Sequence, residues 1–326
     1  MGNVARDFEA DLGVSEMWYI SEHVVHGRVV VPGACFVECV SGGGGLGAVG
    51  APCSGGVASR EPLVLVGTAV VSPLAMGRSG SRTRGESVLR LRTWATGAEG
   101  YGFEVGSRCL GVDAVHATGH ARNGAQKASM VSRLACAVRA GCSGVPVGMR
   151  RTYAGLAGAG IVYGCAFRAV ASLWDAGSVR WAASSLRMEG GVADVEGYAV
   201  HPVLIDGCLQ SLGFSVSGAR DWRPARGPVL QVVVPTVVEE YGATSSSWLG
   251  GATGMMCRAW VGGGGGHDSG GLGRVTGSVE AAGRRGMHVH STSLHGVHMR
   301  GIGREALEKE TEPEGGQHGK LHGVPY

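Results

Sequence analysis

The sequence predicts an α+β chain of two similar halves, each a curled antiparallel sheet wrapped around one central helix. Three observations point there. Strand-period segments dominate both halves, and each half holds one short apolar helix opened by a proline. The two prolines, Pro32 and Pro202, stand 170 positions apart, about one domain length.

The first helix is expected over residues 32–40, Pro-Gly-Ala-Cys-Phe-Val-Glu-Cys-Val. Proline suits a first helical turn, where its missing N–H has no intrahelical acceptor to lose. Apolar side chains lie all round except at Glu38, so the helix is expected to be enclosed on most sides. The glycine run from Gly42 is expected to end it. Strands follow over residues 63–71, where β-branched residues crowd, and 87–94, where apolar and polar residues alternate. A weaker strand pattern covers 180–188, and Val229 to Val238 is a further strand. The second helix is expected over 202–212, with Asp206 and Gln210 four apart and so on one face.

Glycine is the compositional outlier, 60 of 326 residues, or about 18% against roughly 7% in ordinary proteins. The tracts at 41–57 and 262–274 are expected to be mobile loops, because they offer little side chain to bury. No Gly-X-Y period runs through them, which excludes collagen. Lys and Arg number 29 against 26 Asp and Glu, a balance of +3 that gives no ground for nucleic acid or an anionic membrane as partner. No run approaches the ~18 apolar residues of a membrane-spanning helix. The start of the chain lacks a secretory build, so the expected compartment is cytoplasmic. Nine cysteines without a Cys-x-x-Cys pair read as buried free thiols, neither zinc ligands nor a disulfide framework.

Of the twelve histidines, His288, His290, His295 and His298 have spacings that raise the question of a metal. Alternation in a strand places such rings on one solvated face, and no acidic or Cys residue stands at ligand spacing, so no metal is expected. His23 stands apart. A turn glycine, Gly27, and a short strand separate it from the first helix, whose N–H-rich end is suited to polarising a carbonyl oxygen. The other reading of His23 is a structural histidine at a strand entry. Asp206 is a carboxyl in an apolar helix, where burial raises its pKa and keeps it protonated. Its other reading is an aspartate held by backbone donors in a turn. A base on one half and an acid on the other would suit a β-elimination.

At these residues the chain resembles the dehydratase domains of polyketide synthases and animal-type fatty acid synthases. His23-x-x-x-Gly27-x-x-x-x-Pro32 resembles their first motif, and Tyr163-Gly164-Cys165-Ala166-Phe167 their Tyr-Gly-x-x-Phe motif. His201-Pro202-Val203-Leu204-Ile205-Asp206-Gly207-Cys208-Leu209-Gln210 is similar to the second active-site motif. Shorter echoes occur at Ser72-Pro73-Leu74, His116-Ala117-Thr118-Gly119, Val234-Pro235-Thr236 and His295 to Arg300. They keep the family's order, and motifs in order at domain-scale separation are more specific than any one match.

The resemblance implies a double hotdog, with an N-terminal hotdog over 1–125, a linker over 126–148, a C-terminal hotdog over 149–302 and a disordered tail over 303–326. It implies a 3-hydroxyacyl thioester substrate and a trans-2-enoyl thioester product. His23 would be the base and Asp206 the acid, with Gln210 supporting it. Tyr163 would line the substrate tunnel, and Gly33, after Pro32, would lie near the thioester carbonyl. No cofactor is bound in this scheme; the acyl chain arrives on the phosphopantetheine of an acyl carrier protein, and other synthase domains and a second copy are the expected partners. Two further functions fit the same fold: a product-template aldol cyclase, and a silent hotdog serving as a docking or dimerisation module. Cys165 stands where the family's proline is usual. The family's opening His-Pro-Leu-Leu-Gly strand is absent, which implies a missing edge strand. No ketosynthase, acyltransferase, ketoreductase or carrier domain accompanies these motifs, which fits a stand-alone dehydratase or a piece of a larger synthase.

Overall fold

Antiparallel strands hold most of the residues whose structure is described. The computed structural model describes residues 5–12, 15–47, 63–76, 88–96, 100–109, 112–123, 148–175, 181–188, 198, 200–217, 232–245, 254–261, 275–285 and 288–302. The tail at 303–326, the glycine tract at 262–274 and all of the 126–148 linker but Gly148 lie outside these residues.

The first half holds β1 (Arg6–Asp11), a 3-10 helix (Ser15–Glu22), β2 (His23–Val25), β3 (Arg28–Val31), α1 (Gly33–Gly47) and β4 (Leu63–Val70). It continues with β5 (Leu74–Ala75), β6 (Val88–Ala95), β7 (Gly100–Cys109) and β8 (Val112–Asn123). The second half holds α2 (Met149–Gly158), β9 (Ile161–Tyr163), β10 (Val170–Asp175), β11 (Trp181–Arg187) and α3 (Pro202–Ser217). It ends with β12 (Val232–Ser245), β13 (Gly254–Val261), β14 (Val275–Arg285) and β15 (His288–Ile302).

Eleven strands form one sheet in the order β1-β6-β7-β8-β4-β12-β15-β14-β13-β11-β10. Its seam is β4 against β12, where Leu65 pairs Tyr241 and Ala69 pairs Val237. The first-half strands pack on α1, the second-half strands on α3, and the two helices touch each other. Phe36, Val37 and Val40 of α1 and Val203, Ile205, Cys208 and Leu212 of α3 are buried. Each large apolar side chain so enclosed stabilises by roughly 1.5–3 kcal/mol, which is why both helices are apolar nearly all round.

Two expectations are corrected here. The glycine run does not end the first helix, which continues to Gly47. Glycine weakens a helix by ~1 kcal/mol per residue, and tertiary packing of the kind α1 makes with sheet and partner helix overrides such propensities. Nor is the edge strand missing. Arg6–Asp11 forms it, with Glu9 opposite Arg90 and Asp7 opposite Arg92. Ion pairs of 2.8 and 3.0 Å mark that register.

A second sheet, in the order β5-β3-β2-β9, crosses between the halves. Its core is the β2–β3 hairpin, whose two-residue loop is His26-Gly27 with φ of 47° and 79°. Positive φ at both loop residues matches the right-handed twist of the strands, which is the reason for glycine there. The His26 N–H donates to the Gly160 carbonyl at 2.7 Å, and β9 then pairs with β2, setting His23 opposite Tyr163.

Candidate active site

His23 enters from this crossing sheet. It is 9% exposed, and its Nδ1 lies 2.7 Å from the Val30 carbonyl. A carbonyl only accepts, so Nδ1 carries a hydrogen, and Nε2 is the nitrogen left to take up a proton. The hairpin makes this bond possible, because it folds Val30 back beside His23. The rings of Tyr163 and Phe167 stand 5.4 and 5.3 Å from the imidazole. Pro32, buried, and Gly33 follow β3 directly and begin α1. A Cβ added at Gly33 would touch only Val70 Cγ2, at 3.6 Å.

Asp206 enters from α3, 7% exposed. Burial raises its carboxyl above the ordinary range, while His23 and a hydrogen bond from Gln210 pull in the opposite direction. The carboxyl's own field reaches Cys35 of α1 and Tyr163 of β9, adding to the burial that holds that thiol and that phenol protonated. A continuous path joins the two candidate groups. The His23 ring meets Phe167, the Phe167 carbonyl accepts from Gln210 Nε2 at 2.8 Å, and the same nitrogen donates to Asp206 Oδ2 at 2.7 Å. Of the six residues expected at the site, these contacts link His23, Tyr163, Asp206 and Gln210, while Pro32 and Gly33 stand at the head of α1, the helix that touches α3.

Two residues at this place escaped sequence reasoning. Tyr153, on α2, donates its hydroxyl to Gln210 Oε1 at 2.8 Å. Glu22 takes the Ala166 N–H on its carboxylate and the Gly164 N–H on its carbonyl, which pins the Tyr163-to-Phe167 turn against His23. A signal existed for Glu22, its adjacency to His23. For Tyr153 none existed beyond an amphipathic stretch ahead of Tyr163.

His201 has another task. Its Nδ1 accepts the Val203 N–H at 3.2 Å, so it caps α3, and burial lowers its pKa to about 4. Ser72 and His116 meet each other within the first half, where the His116 ring also stacks on Phe36 of α1. His116 Nε2 lies 2.7 Å from Ser107 Oγ and its Nδ1 3.1 Å from Ser72 Oγ, a clasp between β7, β8 and the segment before β5. Among the described residues no group of three or more His, Cys, Asp or Glu is placed to hold a metal ion. His298 pairs with Glu239 at 2.7 Å. Cys35, Cys208 and Cys257 are buried free thiols, but against expectation Cys39 is half-buried and Cys165 is exposed, on the outer side of a turn whose Ala166 and Phe167 are buried. No described helix is long and apolar enough to cross a membrane.

Residues 137–251 match the family model described as the polyketide synthase dehydratase N-terminal domain. Despite that description, the matched segment is the one that carries Tyr163, Asp206 and Gln210. Mycoketide-CoA synthase of Mycobacterium tuberculosis (strain ATCC 25618 / H37Rv) is 32% identical over 210 residues, which are 64% of this chain and 4% of that protein. The erythronolide synthase EryA2 of Saccharopolyspora erythraea is 27% identical over 220 residues, 65% of this chain and 5% of that protein. The chain is similar to the polyketide synthase dehydratase domains. The dehydratase domain from the CurF module of curacin polyketide synthase superposes with a TM-score of 0.69 at 16% identity, covering 93% of this chain and 95% of that one. The fold is the double hotdog of these dehydratases. The chain spans about a twentieth of the length of the two synthases named, so it is comparable with one domain of each.

Proposed function

We propose that this chain removes water from a 3-hydroxyacyl thioester, carried on the phosphopantetheine of an acyl carrier protein, to give a trans-2-enoyl thioester. One observation supports the reading: a buried imidazole, His23, and a buried carboxyl with a raised pKa, Asp206, come from opposite halves and lie close enough to act on each other electrostatically. The halves, 1–125 and 149–302, supply one partner each.

His23 Nε2 takes the proton from the carbon next to the thioester carbonyl. That proton is only weakly acidic, so the developing enolate oxygen needs donors, and the N-terminal end of α1 at Gly33 supplies them. Asp206, protonated, gives its proton to the departing 3-hydroxyl, which leaves as water. Tyr163, whose phenol stays protonated, lines the slot between them. Each positioned acid or base is worth ~10²–10⁴ in rate. Similarity to polyketide synthase dehydratases supports dehydration over the aldol-cyclase and silent-module readings, and the paired acid and base support it over the silent module. The expected setting is the cytoplasm, alongside a carrier protein, other synthase domains and a second copy of this chain.

The test is incubation of the purified chain with a 3-hydroxyacyl pantetheine thioester, following enoyl absorbance. The wild type forms enoyl product, and His23→Ala and Asp206→Asn each lose ~10²-fold or more while staying folded. Turnover that survives His23→Ala overturns the assignment of the base. A folded wild type inert on every thioester returns the silent module, and ring closure of a poly-β-keto substrate returns the cyclase.

A further inference from the structure

Gln210 is held at both ends by backbone groups of fixed polarity. The Val170 N–H can only donate, and it donates to the Tyr153 hydroxyl oxygen at 3.0 Å. Tyr153 must therefore send its own hydrogen elsewhere, and Gln210 Oε1 receives it at 2.8 Å. At the other end the Phe167 carbonyl can only accept, so the atom 2.8 Å from it is the amide nitrogen. The two ends agree, and the side-chain amide has one orientation. Its second N–H then points at Asp206 Oδ2, at 2.7 Å. An oxygen that receives a hydrogen there has no room to present one of its own in the same direction.

We propose that Tyr153 is a positioning residue that locks the Gln210 amide and so keeps the transferable proton of Asp206 on Oδ1. This rests on the dehydratase reading for its consequence. In the elimination, the Cα–H pair becomes the new C=C bond as the proton goes to His23 Nε2. The Cβ–O bond breaks, the Oδ1–H proton joins the leaving hydroxyl, and water departs. The Asp206 carboxylate is left accepting from Gln210 and facing an imidazolium at His23. One proton passing from His23 to Asp206 restores the site. With the amide reversed, Gln210 Oε1 would face Asp206 and draw the proton onto Oδ2, away from the substrate.

The groups facing Asp206 are His23 from β2, Cys35 from α1, Tyr163 from β9 and Cys208 from its own helix. Burial holds the Cys35 thiol and the Tyr163 phenol protonated, and the Cys257 contact together with burial does so for Cys208, so the Gln210 donation is the neutral contact most exposed to a change at Tyr153. That donation favours the carboxylate, and its loss moves the Asp206 titration upward.

The test uses Tyr153→Phe, Gln210→Met and the double variant, with two readouts. One is a carbon-13 NMR titration of the Asp206 carboxyl, assigned with Asp206→Asn, which needs no turnover. The other is the pH dependence of kcat on a 3-hydroxyacyl pantetheine thioester. Tyr153→Phe is expected to shift the titration and the alkaline limb of kcat upward and to lower kcat roughly tenfold, with KM within about twofold. In the Gln210→Met background, Tyr153→Phe is expected to change neither readout further, because Tyr153 acts only through the amide. An Asp206 titration unmoved by Tyr153→Phe, or an equal further shift in the Gln210→Met background, overturns the proposal. Should Tyr153→Phe not fold, Gln210→Met alone decides, and a wild-type titration in it overturns the proposal. A Tyr153-dependent titration in a chain inert on thioesters upholds the locked amide and sinks the dehydratase reading instead.

Discussion

Glu22 of the first half holds the Ala166 N–H of the second half on its carboxylate, at 2.5 Å. Since Glu22 immediately precedes His23, the same residue that sets the imidazole's backbone also sets the turn carrying Tyr163 and Phe167.

Replacing Glu22 with alanine removes a charge-assisted bond, worth about 1.5–3 kcal/mol, and frees that turn. Thermal melts are expected to fall accordingly, and kcat to drop more than KM rises. Glu22→Gln keeps an acceptor oxygen and is expected to recover most of both. Gly164→Ala is expected to be worse than Glu22→Ala, because a Cβ there would stand 2.6 Å from Glu22 Cβ. Equal melting points for wild type and Glu22→Ala would remove the clamp from the account.

Cys165→Pro is expected to be tolerated. The Arg168 N–H donates to the Gly164 carbonyl at 3.1 Å, which makes Cys165 the first residue of a single helical turn, a position that suits proline. Neither bond to Glu22 uses the Cys165 N–H. A gain of about 0.4–1 kcal/mol in denaturant unfolding is expected from the stiffer unfolded chain. A loss of more than ~1 kcal/mol would mean the turn needs that N–H after all.

His201 makes folding sensitive to acid. Burial lowers its pKa to about 4 from an ordinary 6.5, so the unfolded chain binds the proton more readily. Its contribution is complete above pH ~6.5 and fades as the pH falls toward 4, by about 3 kcal/mol. Urea midpoints between pH 7 and 4 are expected to decline, and His201→Asn, which can still cap α3, is expected to flatten the decline. The residual slope would come from His116, whose pKa burial also lowers. Parallel curves for wild type and His201→Asn would assign the acid sensitivity to other groups.

Gly33→Ala separates protein packing from substrate room. The added Cβ meets only Val70 Cγ2 at ordinary contact distance, so the fold is expected to melt near the wild-type temperature. If a thioester carbonyl approaches the head of α1, the methyl group stands in its way, and KM is expected to rise about tenfold. An unchanged KM would place the carbonyl elsewhere.

Both central helices were legible because they must be apolar on most faces, which few surface helices are. Asp206 and Gln210 stood out against that background, and their shared face followed from helical spacing alone. The end of α1 was not legible, since glycine reports intrinsic propensity and the helix answers to its surroundings. Strand β1 was missed because a six-residue edge strand with four charges, Arg6-Asp7-Phe8-Glu9-Ala10-Asp11, shows its pattern only beside Arg90 and Arg92.

The chain's chemistry-bearing residues, their helices and the likeness of its halves are properties of local order, carried by spacing and by which side chains tolerate burial. The convergence of His23 with Asp206 is of another kind. It depends on β9 pairing with β2 and on α1 touching α3, contacts between segments well over a hundred residues apart. So does the polarity of the Gln210 amide, decided by the Val170 and Phe167 backbone groups, which stand 40 and 43 residues before it in sequence. Hydrogen-bond direction and electrostatic reach act over a few ångströms of space, and only the folded chain defines those distances.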